Sequence, residues 1–195
     1  MTHIVGILLA GGRSRRYGTK NKLTQCGADG VAIGIKAACA MAAAVDELLV
    51  VIAPEEASSA ALFAPDYPIS RCPTSYKGMG HSIAHGVLQT PHADGWLIGL
   101  ADMPYVRTTT HLRIRDALNL PDAIARPMYD DRVGHPVGFG KEYYGELIAL
   151  NGDAGAQSII MQHHSAVVFV PTEDSGVLID IDRPEDLAMQ GSSQT

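Results

Sequence analysis

No CxxC pair occurs in the sequence, and its three cysteines, Cys26, Cys39 and Cys72, are widely spaced and odd in number. That pattern excludes a closed disulfide framework and a zinc ribbon, and makes a reducing cytoplasm the expected setting. No apolar run approaches the ~20 residues of a membrane span. The opening stretch also lacks a preceding basic region and a small-residue cleavage site, so no targeting segment is expected. Positive charge is short overall: fifteen Lys and Arg against twenty-one Asp and Glu leave a formal charge of −6. A binder of nucleic-acid polymers would spread a basic face over much of a domain, and nothing here supplies one. Charged residues make up 18% and hydrophobic residues 46% of 195, which is enough apolar side chain for one core. The expected organisation is a single domain over residues 1–190 with a frayed tail at 191–195.

Against that acidic background, five of the fifteen cations, Arg13, Arg15, Arg16, Lys20 and Lys22, arrive within ten positions of HIVGILLAGGRSRRYGTKNKL. So local a cluster points to a small polyanionic ligand.

Short apolar runs without strict alternation, at Ile4–Ala10, Leu48–Ala53 and Trp96–Ala101, read as buried parallel strands. Helical stretches at Val31–Ala44, Glu55–Phe63 and Ser82–Gln89 alternate with them. The expected fold class is therefore α/β, with a doubly wound sheet. The second half is less regular. Strands are expected at Ala123–Met128, Pro136–Phe139, Ala166–Val170 and Val177–Ile181, and helices at Lys141–Leu150 and Ala154–Gln162, giving a mixed sheet. A final helix should begin at Arg183-Pro184-Glu185-Asp186, with Asp182 as its N-cap.

In such sheets the ligand crevice lies beyond the carboxyl ends of the strands. Leu9-Ala10-Gly11-Gly12 sits at one such end, where glycines let backbone N–H groups approach phosphate oxygens; the alternative is a plain strand-to-loop turn. A Walker loop does not fit, because five residues separate Gly12 from Gly18 and Thr19-Lys20 follow; GxGxxG is absent as well. Asp102, after the strand GWLIGL, is placed to hold Mg²⁺ against a triphosphate or else to cap a turn. Asp180 and Asp182 alternate along an expected strand and so share a face, as a second ligand or as helix caps. Gly78, Gly80 and Ser82 open a helix whose free N–H groups could meet a ligand oxygen. His135 and Asp153 are polar residues set between glycines in GHP and GDAG.

LAGGRSRRYGTKNKL resembles the LAxGxSxRxGxxK signature of nucleotidyltransferases with a glycosyltransferase-A-like Rossmann fold, specifically the molybdenum cofactor cytidylyltransferase family. GMGHSIAHGV, LADMPYV, GHPVGF, GDAGA and DIDRPEDL follow in that family's order, so the resemblance spans nearly the whole chain. It implies a three-layer Rossmann-like fold with a mostly parallel, mixed central sheet. The implied activity is Mg²⁺-dependent transfer of CMP from CTP to the terminal phosphate of molybdenum cofactor, with pyrophosphate released and a molybdoenzyme as client. Catalytic roles fall to Arg16, Lys22 and Asp102. Nucleotide contacts fall to Leu9, Ala10, Gly11, Gly12, Ser14, Arg16, Lys22, Gly78, Ser82 and Asp102. Metal contacts fall to Asp102, Asp180 and Asp182, and acceptor contacts to His135 and Asp153. Two positions depart from the family: Cys72-Pro73 stands where Asn-Pro is common, and Gln157 where an arginine is common. The family associates LAAG with cytidylyl and LAGG with guanylyl transfer; here LAGG is joined to cytidylyl-type segments, which favours CTP with GTP as a secondary substrate. Transfer to a different phosphorylated acceptor, or a non-catalytic cofactor carrier, are the alternatives.

Overall fold

Six consecutive buried residues, Ile4–Leu9, form strand β1 at the centre of the sheet. Their side chains alternate between two cores, so a continuous apolar run is what a strand covered on both faces requires. Ile4 and Leu8 enter one core, Val5, Ile7 and Leu9 the other. The computed structural model describes residues 2–12 and 21–189. The expected frayed tail, four of the five clustered cations (Arg13, Arg15, Arg16 and Lys20) and the expected nucleotide contact Ser14 lie outside the described residues.

β1 pairs in parallel with β2 (Glu47–Ile52) and with β4 (Gly95–Leu100), and β2 pairs in parallel with β3 (Ile69–Arg71). Beyond β4 the sheet becomes mixed. β7 (Val137–Gly140) runs antiparallel between β4 and β5 (Ile124–Tyr129). β5 continues in parallel to β8 (Val167–Pro171) and in antiparallel to the short β6 (Arg132–Val133). The order is β3-β2-β1-β4-β7-β5-β6, with β8 on β5. Helices α1 (Ile33–Ala42), α2 (Ala57–Phe63) and α4 (Thr108–Asp116) cover one face through Met41, Phe63 and Ile114. α3 (Met79–Gln89), α5 (Tyr144–Ile148) and α6 (Gln157–Gln162) cover the other through Ile83, Leu147 and Ile159. The result is the expected three-layer, Rossmann-like α/β arrangement, and among the described residues no helix is long and apolar enough to cross a membrane.

Two expectations need correction. Val177–Ile181 is not a strand, because a 3-10 turn occupies Ser175–Leu178. The buried Asp174 carboxylate causes it, accepting from Gly176 N at 3.0 Å, Arg107 N at 2.8 Å and Thr110 Oγ1 at 2.6 Å. Three donors converging on one carboxylate turn the chain more strongly than the apolar residues extend it. The last helix, α7, spans Pro184–Met189, so the residue immediately before it is Arg183 rather than the expected Asp182. The Asp186 carboxylate reaches back to accept from Asp182 N at 2.9 Å and Arg183 N at 2.7 Å. The Asp182 carboxylate itself accepts from Lys22 Nζ at 3.2 Å.

Candidate active site

A cleft of about 480 Å³ opens at the carboxyl ends of β1 and β4, where the fold leaves strand ends facing helix starts. Leu9, Ala10, Gly11 and Gly12 form its floor and lip, Gly78, Met79 and Ser82 bring the amino end of α3, and Lys22, Asp102 and Asp153 supply charge. Eight of the expected nucleotide contacts, Leu9, Ala10, Gly11, Gly12, Lys22, Gly78, Ser82 and Asp102, thus line one cleft. Ser75 and Tyr76 also line the cleft and were missed by the sequence reading. Tyr76 is 60% exposed, and the usable signal was a lone aromatic immediately ahead of a glycine-rich helix start.

Lys22 is placed by a 3-10 turn, Lys22–Thr24, whose N-cap Asn21 accepts from Leu23 N at 2.9 Å. The Asn21 amide also donates to Glu56 and Ser59, at 3.0 and 2.8 Å, fixing the turn to α2. From there the buried Lys22 ammonium donates to Asp102 Oδ2 at 2.7 Å and to Asp182 Oδ1 at 3.2 Å. Burial works against the ammonium charge, but the Asp102 and Asp182 carboxylates more than offset it and raise the lysine above its ordinary pKa. A backbone bond from Ile181 N to Asp102 O, 2.9 Å, fastens the final DID segment beside the end of β4. That bond selects between the two aspartates: Asp182 joins Asp102 around Lys22, while Asp180 is exposed.

Backbone close approach holds the opposite wall. Gly78 sits at φ 130°, and a Cβ there would strike the carbonyl of Gly152. Gly80 N donates to that same carbonyl at 2.9 Å, which brings the GDAGA loop and Asp153 against the start of α3. Asp153 therefore faces the same cleft as the nucleotide contacts. Cys72 does not line the cleft; it is buried, its thiol 3.6 Å from His81 O and from Thr74 Oγ1.

His135 lies in an adjoining cavity of about 110 Å³ that shares Leu9, Met79 and Leu100 with the cleft. Burial, aided by the neighbouring Arg126 charge, pushes its imidazole down to about 4, with Asp102 pulling weakly the other way. At neutral pH it is an uncharged ring. Far from the cleft, at the amino ends of β1, β2 and β4, the donor atoms of His3, Glu47 and His92 lie within 4.8 Å of one another.

A mostly parallel sheet with a glycine floor, a helix amino terminus and a lysine between two carboxylates is an arrangement suited to nucleotide phosphates. Residues 6–167 match the MobA-like NTP transferase domain. The chain is 33% identical over 199 residues to the purine catabolism protein PucB of Bacillus subtilis (strain 168), spanning 96% of this chain and 95% of that protein. Among solved structures it is similar to Rv0371c of Mycobacterium tuberculosis H37Rv, with a TM-score of 0.83, 28% identity and 96% of each chain covered. A manganese complex of Rv0371c superposes with a TM-score of 0.78 at 26% identity, covering 96% of this chain and 97% of that one. The chain belongs to the MobA-like NTP transferase family and is a nucleotidyltransferase.

Proposed function

We propose that this nucleotidyltransferase moves CMP from CTP to the terminal phosphate of molybdenum cofactor, in a reducing cytoplasm, and releases pyrophosphate. The observation that carries this reading is the Lys22 bridge between Asp102 and Asp182 at the end of a cleft floored by Gly11 and Gly12. The acceptor phosphate is already anionic at neutral pH and needs no side-chain base. Its oxygen forms a bond to the α-phosphorus of CTP as the bond from that phosphorus to the β-phosphate oxygen breaks, and pyrophosphate leaves. Positioning and charge neutralisation carry the rate.

In this reading the N–H groups of Gly11, Gly12 and the start of α3 hold phosphate oxygens, with Arg16 on the leaving pyrophosphate and Lys22 on the α-phosphate. Asp102 and Asp182 already converge on one cation, the Lys22 ammonium, and that pair of hard oxygen donors suits Mg²⁺, which favours one or two carboxylates plus substrate phosphates. Bound there, the metal supplies charge neutralisation on the triphosphate. The manganese complex of Rv0371c supports a divalent cation as the group held. Asp180 is the weaker metal candidate. Asp153 and His135 serve the acceptor, and delivery to a molybdoenzyme client follows.

GTP is the second reading, favoured by the absence of a side chain at Gly11, which leaves room a purine can use. The test is pyrophosphate release on mixing the protein with each of four triphosphates, Mg²⁺ or Mn²⁺, and molybdopterin. CTP should give the fastest release. Faster release with GTP overturns the base assignment, and molybdopterin binding without release under any triphosphate leaves a carrier.

A further inference from the structure

The end of the sheet opposite the cleft carries a second convergence of chemical groups. His3 precedes β1, Glu47 opens β2, and His92 lies in the turn before β4; β1 is paired with both of the other strands. One donor atom from each residue lies within 4.8 Å of the other two, so two imidazole nitrogens and a carboxylate oxygen meet. His92 Nε2 and Glu47 Oε2 are 3.0 Å apart, and the rings of His3 and His92 have centroids 5.3 Å apart.

Backbone bonds hold these positions. His3 N donates to Asp94 Oδ2 at 3.1 Å, and His3 O accepts from Asp94 N at 2.8 Å. Asp46, next to Glu47, is tied to Ile4 in the same reciprocal way, at 2.9 and 3.0 Å. Both flanking carboxylates are committed to cations, Asp46 to Arg115 at 3.0 Å and Asp94 to Lys141 at 3.1 Å. Among the described ion pairs Glu47 pairs with His92 alone.

Hydrogen bonding accounts for part of this cluster. An ion pair near the surface contributes little, and Nδ1 of His3 is buried with no hydrogen-bond partner among the described residues. Desolvating that ring costs free energy which no internal partner returns. A cation drawn between the three groups gives both imidazoles and the carboxylate one common partner.

Donor chemistry selects the cation. Mg²⁺ and Ca²⁺ take oxygen, whereas imidazole suits zinc and its first-row neighbours, and two histidines with one carboxylate are a zinc ligand set that leaves a fourth position open. Ligands about 2.0–2.2 Å from a tetrahedral zinc stand roughly 3.3–3.6 Å from each other. The His92–Glu47 pair is already close to that spacing, and the exposed His92 side chain is free to turn and close the rest.

We infer that His3, Glu47 and His92 form a binding site for a divalent transition-metal ion of the zinc class, which clasps the starts of β1, β2 and β4 and keeps one position open to solvent. The site is separate from the Asp102–Asp182 pair at the other end of the sheet, which offers oxygen donors, and it does not depend on the identity of the nucleotide or the acceptor.

The experiment titrates metal-free protein with Zn²⁺ by calorimetry and with Co²⁺ by visible absorption, and reads the thermal midpoint with and without Zn²⁺. It is run in wild type and in Asp102→Asn, where the oxygen-donor site is weakened. One equivalent of Zn²⁺ should bind per Asp102→Asn chain, and Co²⁺ should give the bands of a four- or five-coordinate ion. The midpoint should rise by about 5–10 °C when free Zn²⁺ is a hundredfold above Kd. Adding His92→Ala, His3→Ala or Glu47→Gln should weaken Zn²⁺ binding by at least the roughly 10- to 100-fold typical of losing a ligand's supporting partner, and should abolish most of the rise. Because His92 is exposed, His92→Ala without metal should melt within about 2 °C of its parent. Unchanged Zn²⁺ affinity in His92→Ala overturns the inference, as does an Asp102→Asn chain that binds no Zn²⁺, or a midpoint that Mg²⁺ raises as much as Zn²⁺.

Discussion

Lys22 Nζ donates to Asp102 Oδ2 across 2.7 Å, joining a turn that follows β1 to the end of β4, eighty positions later in the chain. The lysine is buried, and Asp182 closes the arrangement at 3.2 Å. Paired groups of this kind hold their geometry before a ligand arrives.

Asp102→Asn removes the central carboxylate charge but keeps the backbone carbonyl that accepts from Ile181 N. Turnover should fall by about 10²-fold or more, the scale of losing a principal electrostatic group, with the circular dichroism spectrum unchanged. Near-normal turnover in the folded variant would remove Asp102 from the site.

Gly11→Ala tests base selection. An added Cβ would lie 3.4 Å from Ala53 N and 3.5 Å from Ser75 Cβ, ordinary contacts that the loop accommodates. A methyl at that place should raise the CTP/GTP ratio of kcat/KM by about tenfold, within the roughly 1–3 kcal/mol that one methyl discriminates. An unchanged ratio would show that Gly11 does not choose the base.

Gly78→Ala should behave in the opposite way. Its φ of 130° and the pressing carbonyl of Gly152 leave no place for a side chain. Stability should fall by about 1–3 kcal/mol in urea titration. The Michaelis constant for the triphosphate should rise as the wall carrying Asp153 and the start of α3 moves apart. Wild-type stability would contradict the close approach of these two segments.

The His135 imidazole sets a pH dependence. Its folded pKa of about 4 lies below the ordinary 6.5, so the unfolded chain binds the extra proton in the interval between. Stability therefore rises with pH through that window and is lost as pH falls from 6.5 towards 4. Between about pH 7 and 5 the wild type should lose about 2 kcal/mol more than His135→Gln, measured by urea unfolding. Equal losses would place the proton elsewhere.

The sequence carried most of the sheet because β1, β2 and β4 are buried on both faces and leave continuous apolar runs. α4 escaped notice because TTTHLRIRD is polar and β-branched; its buried side is only Thr110, His111 and Ile114. The 3-10 turn at Ser175 was illegible because its cause, the Asp174 carboxylate, is tied to Arg107 and Thr110 more than sixty positions away. At the site, glycines and charged residues in short motifs placed the cleft. The choice of Asp182 over Asp180 depended on a single long-range backbone bond to Asp102, and the meeting of His3, Glu47 and His92 could be found only once β1, β2 and β4 were paired in register.

The central claim is a transfer that breaks CTP between its α- and β-phosphates. Single-turnover reaction of the protein with molybdopterin, Mg²⁺ and CTP labelled either at the α- or at the γ-phosphate tests it most directly. The account predicts α-label in the acceptor product, γ-label in pyrophosphate, and neither event in Asp102→Asn. Release of γ-label as inorganic phosphate, or α-label appearing as free CMP with unmodified acceptor, would contradict it.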